Sequence, residues 1–553
     1  MIHISSEMQS RLDQVLAEMA QSNFVARFWQ RDGSLWSEDP EVQAFIGKFM
    51  GWTDIPEAMI DQADSLVAFA QEVKEEGFTD LVVCGMGGSS LSSLVFAQAF
   101  PNSTGLKIHV LDSTDAATVT GLLDRLPMLS TLFVVASKSG TTAEPKSFEE
   151  FFYAKMVELT GEKAGRNFVA ITDPGSAMLP IAEERGYRKV FLGVPEIGGR
   201  FSVLSVFGLL TAAAMQLDVK AMVTRAAELG PARGDTLSDP FRLGALLGEL
   251  SLAGRDKVTF ITPPHLEAFG LWAEQLIAES TGKGGKGILP VAQEPVGAPE
   301  NYGDDRVFVL LTDGSDIVQG VTAVEVARET GAPVILRTIA NEADLAEEFY
   351  SWEVATAVAG AVLGVNPFDQ PNVQEAKTIA QGKLAEIQRT GTVEMGVPTM
   401  KEGLLTVYHG QGTTIPDALK AWLNEPVSHL SFLAFIPETA KSSSLVQGMR
   451  QKLRDATKKV TSFGYGPRYL HSTGQFHKGG PNNGAFLILT GGDSVDAQIP
   501  GMGASFNQLK NAQALGDIGA LQANGRFVLH IDLGVDSEAG LEALAEKIEE
   551  VLR

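Results

Sequence analysis

Cysteine is almost missing from this chain: Cys84 is the single one among 553 residues. No intramolecular disulfide can form, and the compartment this implies is the cytoplasm, where thiols stay reduced. Cys84 ends an apolar run before Gly85, the place of a small buried core residue rather than of a nucleophile. Basic residues are short as well: 44 Lys and Arg face 68 Asp and Glu, a formal net charge of −24. Nucleic acid is therefore a poor partner, since a phosphate backbone is held by clustered cations. A small anion is not excluded, because a local site can be positive within an acidic protein. Long hydrophobic runs are also lacking. The most apolar stretch, residues 201–217, is broken by Ser202, Ser205, Gly208 and Thr211 and falls short of the ~20 residues of a membrane span. It reads as a buried helix, and no membrane partner is expected. The first ten residues show no basic segment followed by an apolar one, so no signal peptide is visible. His471 and His477 fit no zinc pattern, and no Gly-Lys-Ser/Thr stands at P-loop spacing. No metal and no nucleotide triphosphate are expected.

What is present is a packed, alternating chain, 44% hydrophobic with 57 glycines. Residues 1–58 read as a helical, peripheral segment: Leu12, Val15, Leu16 and Met19 recur at helical spacing, and Trp29, Trp36 and Trp52 need something larger to pack on. Residues 59–225 alternate strands (80–84, 107–111, 131–136, 167–171 and 189–192) with helices, the pattern of a doubly wound parallel sheet. Residues 226–390 repeat the pattern, with strands at 257–261, 307–311 and 334–336. Past a boundary at Gly391, Thr392, Gly396 and Pro398, residues 400–553 read as an α+β unit. Its Gly-rich and aromatic stretch 463–475 reads as a tight loop at a site. The fold class is α/β, two doubly wound units between an N-terminal helical segment and a C-terminal α+β extension.

Ligands of such sheets sit at the carboxyl ends of strands, and both Gly/Ser-rich segments fall there. Gly85-Met86-Gly87-Gly88-Ser89-Ser90 lets backbone approach an anion at a helix N-terminus, although Ser89 and Ser90 would equally serve as helix caps. Ser137, Ser139, Thr141 and Thr142 place four hydroxyls in six positions around Gly140, more than capping needs and well matched to the oxygens of a phosphate. Lys138 either adds charge there or points to solvent. Arg200, after Gly198-Gly199 and before the apolar stretch, requires a ligand or a structural ion pair. Gln275 and Glu279, four apart, share one helix face. A lone helical Glu is usually solvated; the apolar neighbours Leu276, Ile277 and Ala278 imply partial burial, the setting of a working base. Lys377 follows a loop containing Asp369 and Gln370, and His471 lies in the Gly-rich stretch of the last unit.

Together these segments resemble the phosphoglucose isomerase family, built from two sugar-isomerase (SIS) domains. Gly198-Gly199-Arg200-Phe201-Ser202 resembles one family signature and the run from Asn366 to Lys377 the other, with Asn372 and Gln374 departing from the usual pattern. The resemblance spans roughly residues 60–390. It implies interconversion of glucose 6-phosphate and fructose 6-phosphate in glycolysis and gluconeogenesis. In that reading Glu279 moves a proton through a cis-enediolate that Arg200 stabilises, and Lys377 and a histidine assist at the ring oxygen or C1 hydroxyl. Ser89, Ser137, Ser139 and Thr142 hold the phosphate with Thr141 and Lys138 nearby, Gly88 belongs to the same substrate site, and Gln275 lines the sugar; this proton transfer needs no metal or organic cofactor. No histidine lies in 280–305, where the common bacterial enzymes carry theirs. The 470–475 loop resembles that missing piece, as in the isomerase half of bifunctional transaldolase/phosphoglucose isomerases, and this assigns the role to His471. A transaldolase barrel of ~250 residues has no room here, so isomerase activity alone is expected. The family further implies a homodimer. The alternatives are a non-catalytic sugar-phosphate sensor and an isomerase of another hexose phosphate, such as mannose 6-phosphate.

Overall fold

The computed structural model describes residues 2–234, 236–314 and 329–553. A two-residue strand, β1 (Ile2–His3), and the helices Ser6–Gln21, Phe24–Trp29 and Pro40–Lys48 open the chain. The first sheet is entirely parallel, with order β3-β2-β4-β5-β6: β2 is Asp80–Gly85, β3 Lys107–Leu111, β4 Thr131–Ala136, β5 Phe168–Thr172 and β6 Lys189–Leu192. Helices cover both faces, which is why β2 and β4 are continuous buried runs rather than alternating ones. Cys84 is fully buried in β2, and burial pushes its thiol well above the ordinary value. The 201–217 stretch folds as expected into a helix, Val206–Ala214, whose every residue is buried.

The second sheet has order β1-β10-β9-β7-β8, with β7 Lys257–Ile261, β8 Leu289–Val291, β9 Arg306–Thr312 and β10 Val334–Thr338. Its internal pairs are parallel, and β1 adds to the edge antiparallel. The N-terminal segment is thus not peripheral. Phe28 and Trp52 are fully buried, and Trp36 Nε1 donates to Ala357 O at 2.8 Å on the Glu342–Leu363 helix. Trp52 stacks on Phe201 with centroids 4.9 Å apart. Its aromatic side chains fill the seam between the two sheets' helices, so both units share one continuous core.

The third unit has order β11-β12-β18-β15-β13-β14. Here β11 is Met400–Glu402, β12 Leu405–His409, β13 His429–Phe435, β14 Val460–Tyr465, β15 Gly484–Thr490 and β18 Phe527–Asp532, with a small ribbon of β16 (Gln498–Ile499) and β17 (Ala504–Ser505) apart. The four strands β18, β15, β13 and β14 run parallel with helices between them, and antiparallel pairing is confined to the β11–β12 edge. The expected α+β layout is therefore corrected to a third alternating unit with an antiparallel margin. Part of the expected 463–475 loop is strand β14. Its Gly464 mimics a loop, but a Cβ there would lie 2.5 Å from Tyr469 Cβ. Close packing, not turning, demands it.

Buried charge docks this unit on the second. Glu294 pairs with Arg306 at 2.8 and 3.1 Å and accepts the Thr461 N–H of β14 at 3.1 Å. From the Ala440–Thr457 helix, Arg450 donates to Ala292 O and Gln293 O. Burial would neutralise Glu294, but the Arg306 guanidinium, with Arg450 and Arg454, holds it below the usual carboxylate range. Among the described residues no helix is long and apolar enough to cross a membrane. Replacing Trp52 by Ala should cost about 3–5 kcal/mol, as large-to-small core substitutions do. The check is the denaturant midpoint, with the half-buried Trp29→Ala as the milder comparison.

Candidate functional site

The carboxyl end of the first sheet opens into a cavity of about 410 Å³. Gly88, Ser89, Ser137, Lys138, Ser139, Thr142, Arg200, Gln275, Glu279, Lys377 and His471 all line it. Thr141 faces an adjoining cavity of about 360 Å³ instead. The two spaces share Ser139, Thr142, Val373, Lys377 and His471.

Two loops build the anion end. After β4 the chain turns at Gly140 with φ +71°, where a Cβ would lie 2.4 Å from Met178 N. Ser137 Oγ accepts the Gly140 N–H at 3.1 Å, so its own proton is left for a ligand. Ser139 Oγ and Thr141 Oγ1 bond at 2.8 Å. Thr142 lines the cavity and precedes the Ala143–Thr160 helix without a side-chain capping bond, so its hydroxyl is not spent on the helix terminus. The capping role open to Ser89 and Ser90 is not taken up either, since the Leu91–Ala99 helix has no side-chain cap. Lys138 neither points to solvent nor presents its charge. Its ammonium pairs with Asp173 at 2.7 Å and donates to Val194 O at 3.1 Å. The Gly87-Gly88 turn packs against the Arg200 turn so closely that a Cβ on Gly88 would sit 1.8 Å from Gly199 O.

Arg200 is buried and multiply bonded. Nε donates to Ser280 Oγ at 2.8 Å, and NH2 donates to Pro367 O at 2.6 Å and Asp369 O at 2.9 Å. NH1 reaches Gln370 Oε1 and Glu279 Oε1, both at 3.1 Å. Burial pulls its pKa down, opposed by the Glu279 and Asp369 charges. Glu279 lies in the Glu267–Thr281 helix with 9% exposure, the partial burial expected of it. Gln275 Nε2 donates to Glu279 Oε2 at 3.2 Å. Gln275 lines the cavity, and its Oε1 is buried with no hydrogen-bond partner among the described residues, an acceptor left unspent. Lys377 is exposed on the Pro371–Thr390 helix.

His471 arrives from the third unit on the short turn Arg468–His471. Arg468 fixes that turn, bonding Asp112 at 2.7 and 2.8 Å. His471 Nε2 meets Glu144 Oε1 at 2.9 Å. Burial works to raise the Glu144 pKa, but the His471 charge and hydrogen bond, with Lys377, leave it lowered. Glu144 was outside the sequence-derived set; its signal is a carboxylate two residues past the hydroxyl loop, in a helix's first turn. Lys283 was outside it too. Its ammonium bonds Asn366 O and sits 2.8 Å from Asp369. Burial and the Arg200 charge lower its pKa to about 7, against the Asp369 carboxylate.

The phosphoglucose isomerase family model matches residues 65–230. A glucose-6-phosphate isomerase of Rubrobacter xylanophilus is 30% identical over 402 residues, covering 62% of this chain and 92% of that protein. This chain belongs to the phosphoglucose isomerase family. A second glucose-6-phosphate isomerase of the family, from Lactobacillus helveticus, is 29% identical, over 60% of this chain and 85% of its own. The fold matches a hypothetical protein of Thermus thermophilus with TM-score 0.58 and 24% identity, over 70% of this chain and all of that one. It also matches a glucose-6-phosphate isomerase of Chlamydia trachomatis with TM-score 0.54 and 19% identity, over 69% and 86%. This phosphoglucose isomerase fold tolerates no side chain at Gly88. Gly88→Ala should displace the turn and weaken binding of inorganic phosphate, read by calorimetry, while a Gly121→Ala control, open and without a positive φ, keeps it.

Proposed function

We propose that this chain interconverts glucose 6-phosphate and fructose 6-phosphate with Glu279 as the proton-transferring base. One observation supports the reading above all: Glu279 and Arg200 lie side by side in the same cavity as the hydroxyl loop. The phosphate takes the hydroxyls of Ser137, Ser139 and Thr142 and the N-terminus of the Ala143–Thr160 helix, with Ser89 opposite. Thr141 acts through its bond to Ser139. Lys138 contributes backbone, its charge being held by Asp173.

His471 and Lys377 open the sugar ring by moving protons at the C1 hydroxyl and ring oxygen. Glu144 accepts at Nε2 of His471, so the neutral ring carries its proton there and offers Nδ1 as the acceptor. Glu279 then takes the C2 proton of the open aldose. The electron pair of that C–H bond forms the C1–C2 double bond, and the carbonyl pair moves onto O1. The Arg200 guanidinium beside Glu279 stabilises this cis-enediolate. Glu279 returns the proton to C1, the O2 proton passes to O1, and a carbonyl forms at C2. Gln275 Oε1 receives a sugar hydroxyl. The reading includes a cytoplasmic location, supported by the single cysteine, and a homodimer, supported by family membership.

Glu279→Gln keeps shape and removes the base. Its rate on fructose 6-phosphate should fall by about 10²–10⁴-fold, with sugar-phosphate binding retained. Binding without turnover by the native protein would leave a sensor, or an isomerase of another hexose phosphate.

A further inference from the structure

The carboxylate that orients His471 is itself held from a third direction. Gln513, 6% exposed in the Phe506–Ala523 helix of the last unit, donates Nε2 to Glu144 Oε1 at 2.7 Å. Its own Oε1 accepts the Thr114 hydroxyl at 2.7 Å. That second bond fixes the amide: with Oε1 turned to a donor, only the NH₂ group faces the carboxylate. His471 and Gln513 therefore donate to the same oxygen of Glu144.

Thr114 is buried in the loop that follows β3, and the Phe506–Ala523 helix is clamped to that loop along one face. Asn507 Oδ1 accepts the Ala116 N–H at 3.4 Å, and Lys510 pairs with Asp115 at 2.9 Å. At spacings of three, Asn507, Lys510 and Gln513 fall on one side of the helix. The amide position is thus fixed by flanking bonds, the condition for a group that positions another.

We propose that Gln513 is a positioning residue for His471, acting through Glu144, so that the last unit supplies both the histidine and the group that holds its carboxylate in the charged, acceptor-only form. This rests on the isomerase reading above. A buried carboxylate is prone to take up a proton; a protonated Glu144 would donate rather than accept, and His471 would lose its tautomer and its aim. The titratable groups facing Glu144 are His471, Lys377 of the Pro371–Thr390 helix and Lys478 of the Gly474–Gly479 helix, the last already paired with Asp517. Gln513 adds a neutral donor where a further cation would compete with His471.

The role is confined to ring opening, and that gives the test. 5-Deoxyfructose 6-phosphate lacks the hydroxyl that closes the five-membered ring, so it needs Glu279 and Arg200 but no ring opening. Gln513→Leu and Gln513→Glu are compared with native protein on both ketose phosphates across pH, after circular dichroism has shown that each is folded. The Leu variant should lose about 10–100-fold in kcat on fructose 6-phosphate, the range for losing an outer partner of a working His, and keep native kcat on the deoxy substrate. The Glu variant should approach the native rate at the acid end, where its added carboxyl is protonated and donates. It should fall progressively as pH rises and two carboxylates face each other. Native rates in the folded Leu variant, or equal losses on both substrates with an unchanged pH profile, would overturn the proposal while leaving the isomerase intact. Native protein that turns over neither substrate would overturn the isomerase reading and this one with it.

Discussion

A guanidinium taken out of water must find a protein partner for each donor it cannot leave bare, and Arg200 meets that demand across the seam between two units. It stands on the turn after β6 of the first unit. Its bonds run to Ser280 and Glu279 on one helix and to three residues of the 367–370 loop. The demand is strict because an unmet buried charge costs several kcal/mol. Satisfying it ties the Gly88 turn and the first unit to Glu279 and to the start of the helix that carries Lys377. Phe201, next in sequence, stacks on Trp52 and packs near Phe368, so apolar contact ties the same turn and the 367–370 loop to the N-terminal segment.

Much of this was legible in the sequence because the responsible residues are contiguous. The strands β3, β4, β6 and β7 fall where apolar runs end in Gly, Ser or charge, and the hydroxyl loop is one uninterrupted segment. Other features were hidden by locality. Trp36 and Trp52 declare that they need a surface but not which one, and that surface lies far along the chain, at Ala357 and Phe201 respectively. β14 was masked by a glycine that serves packing. Lys138 has the sequence context of a phosphate ligand, and only the fold reveals Asp173 beside it. Glu144 looks like an ordinary first-turn acid until the third unit brings His471 against it.

The third unit is bound into the molecule by polar contacts on two sides. Glu294 enters it from the second unit, and Arg468, Lys510 and Gln513 leave it for the first. Gly516 lets its Phe506–Ala523 helix approach the Pro371–Thr390 helix closely: a Cβ there would lie 2.8 Å from that of Ala380. The helix of Lys377 thus lies against the last unit on one side and lines a cavity with the 139–144 segment on the other.

That arrangement has a bearing on how the protein comes to exist in a cell. Gly87 and His471 touch in the finished molecule, with nearly four hundred residues synthesised between them, and Gln513 follows later still. Synthesis at about 5–20 residues per second delivers the anion loops tens of seconds before the groups that complete them. The first two units can gather their shared core in that interval, but the pocket they form stays chemically unfinished. Completion of the pocket therefore comes late, when the Phe506–Ala523 helix settles on the loop after β3.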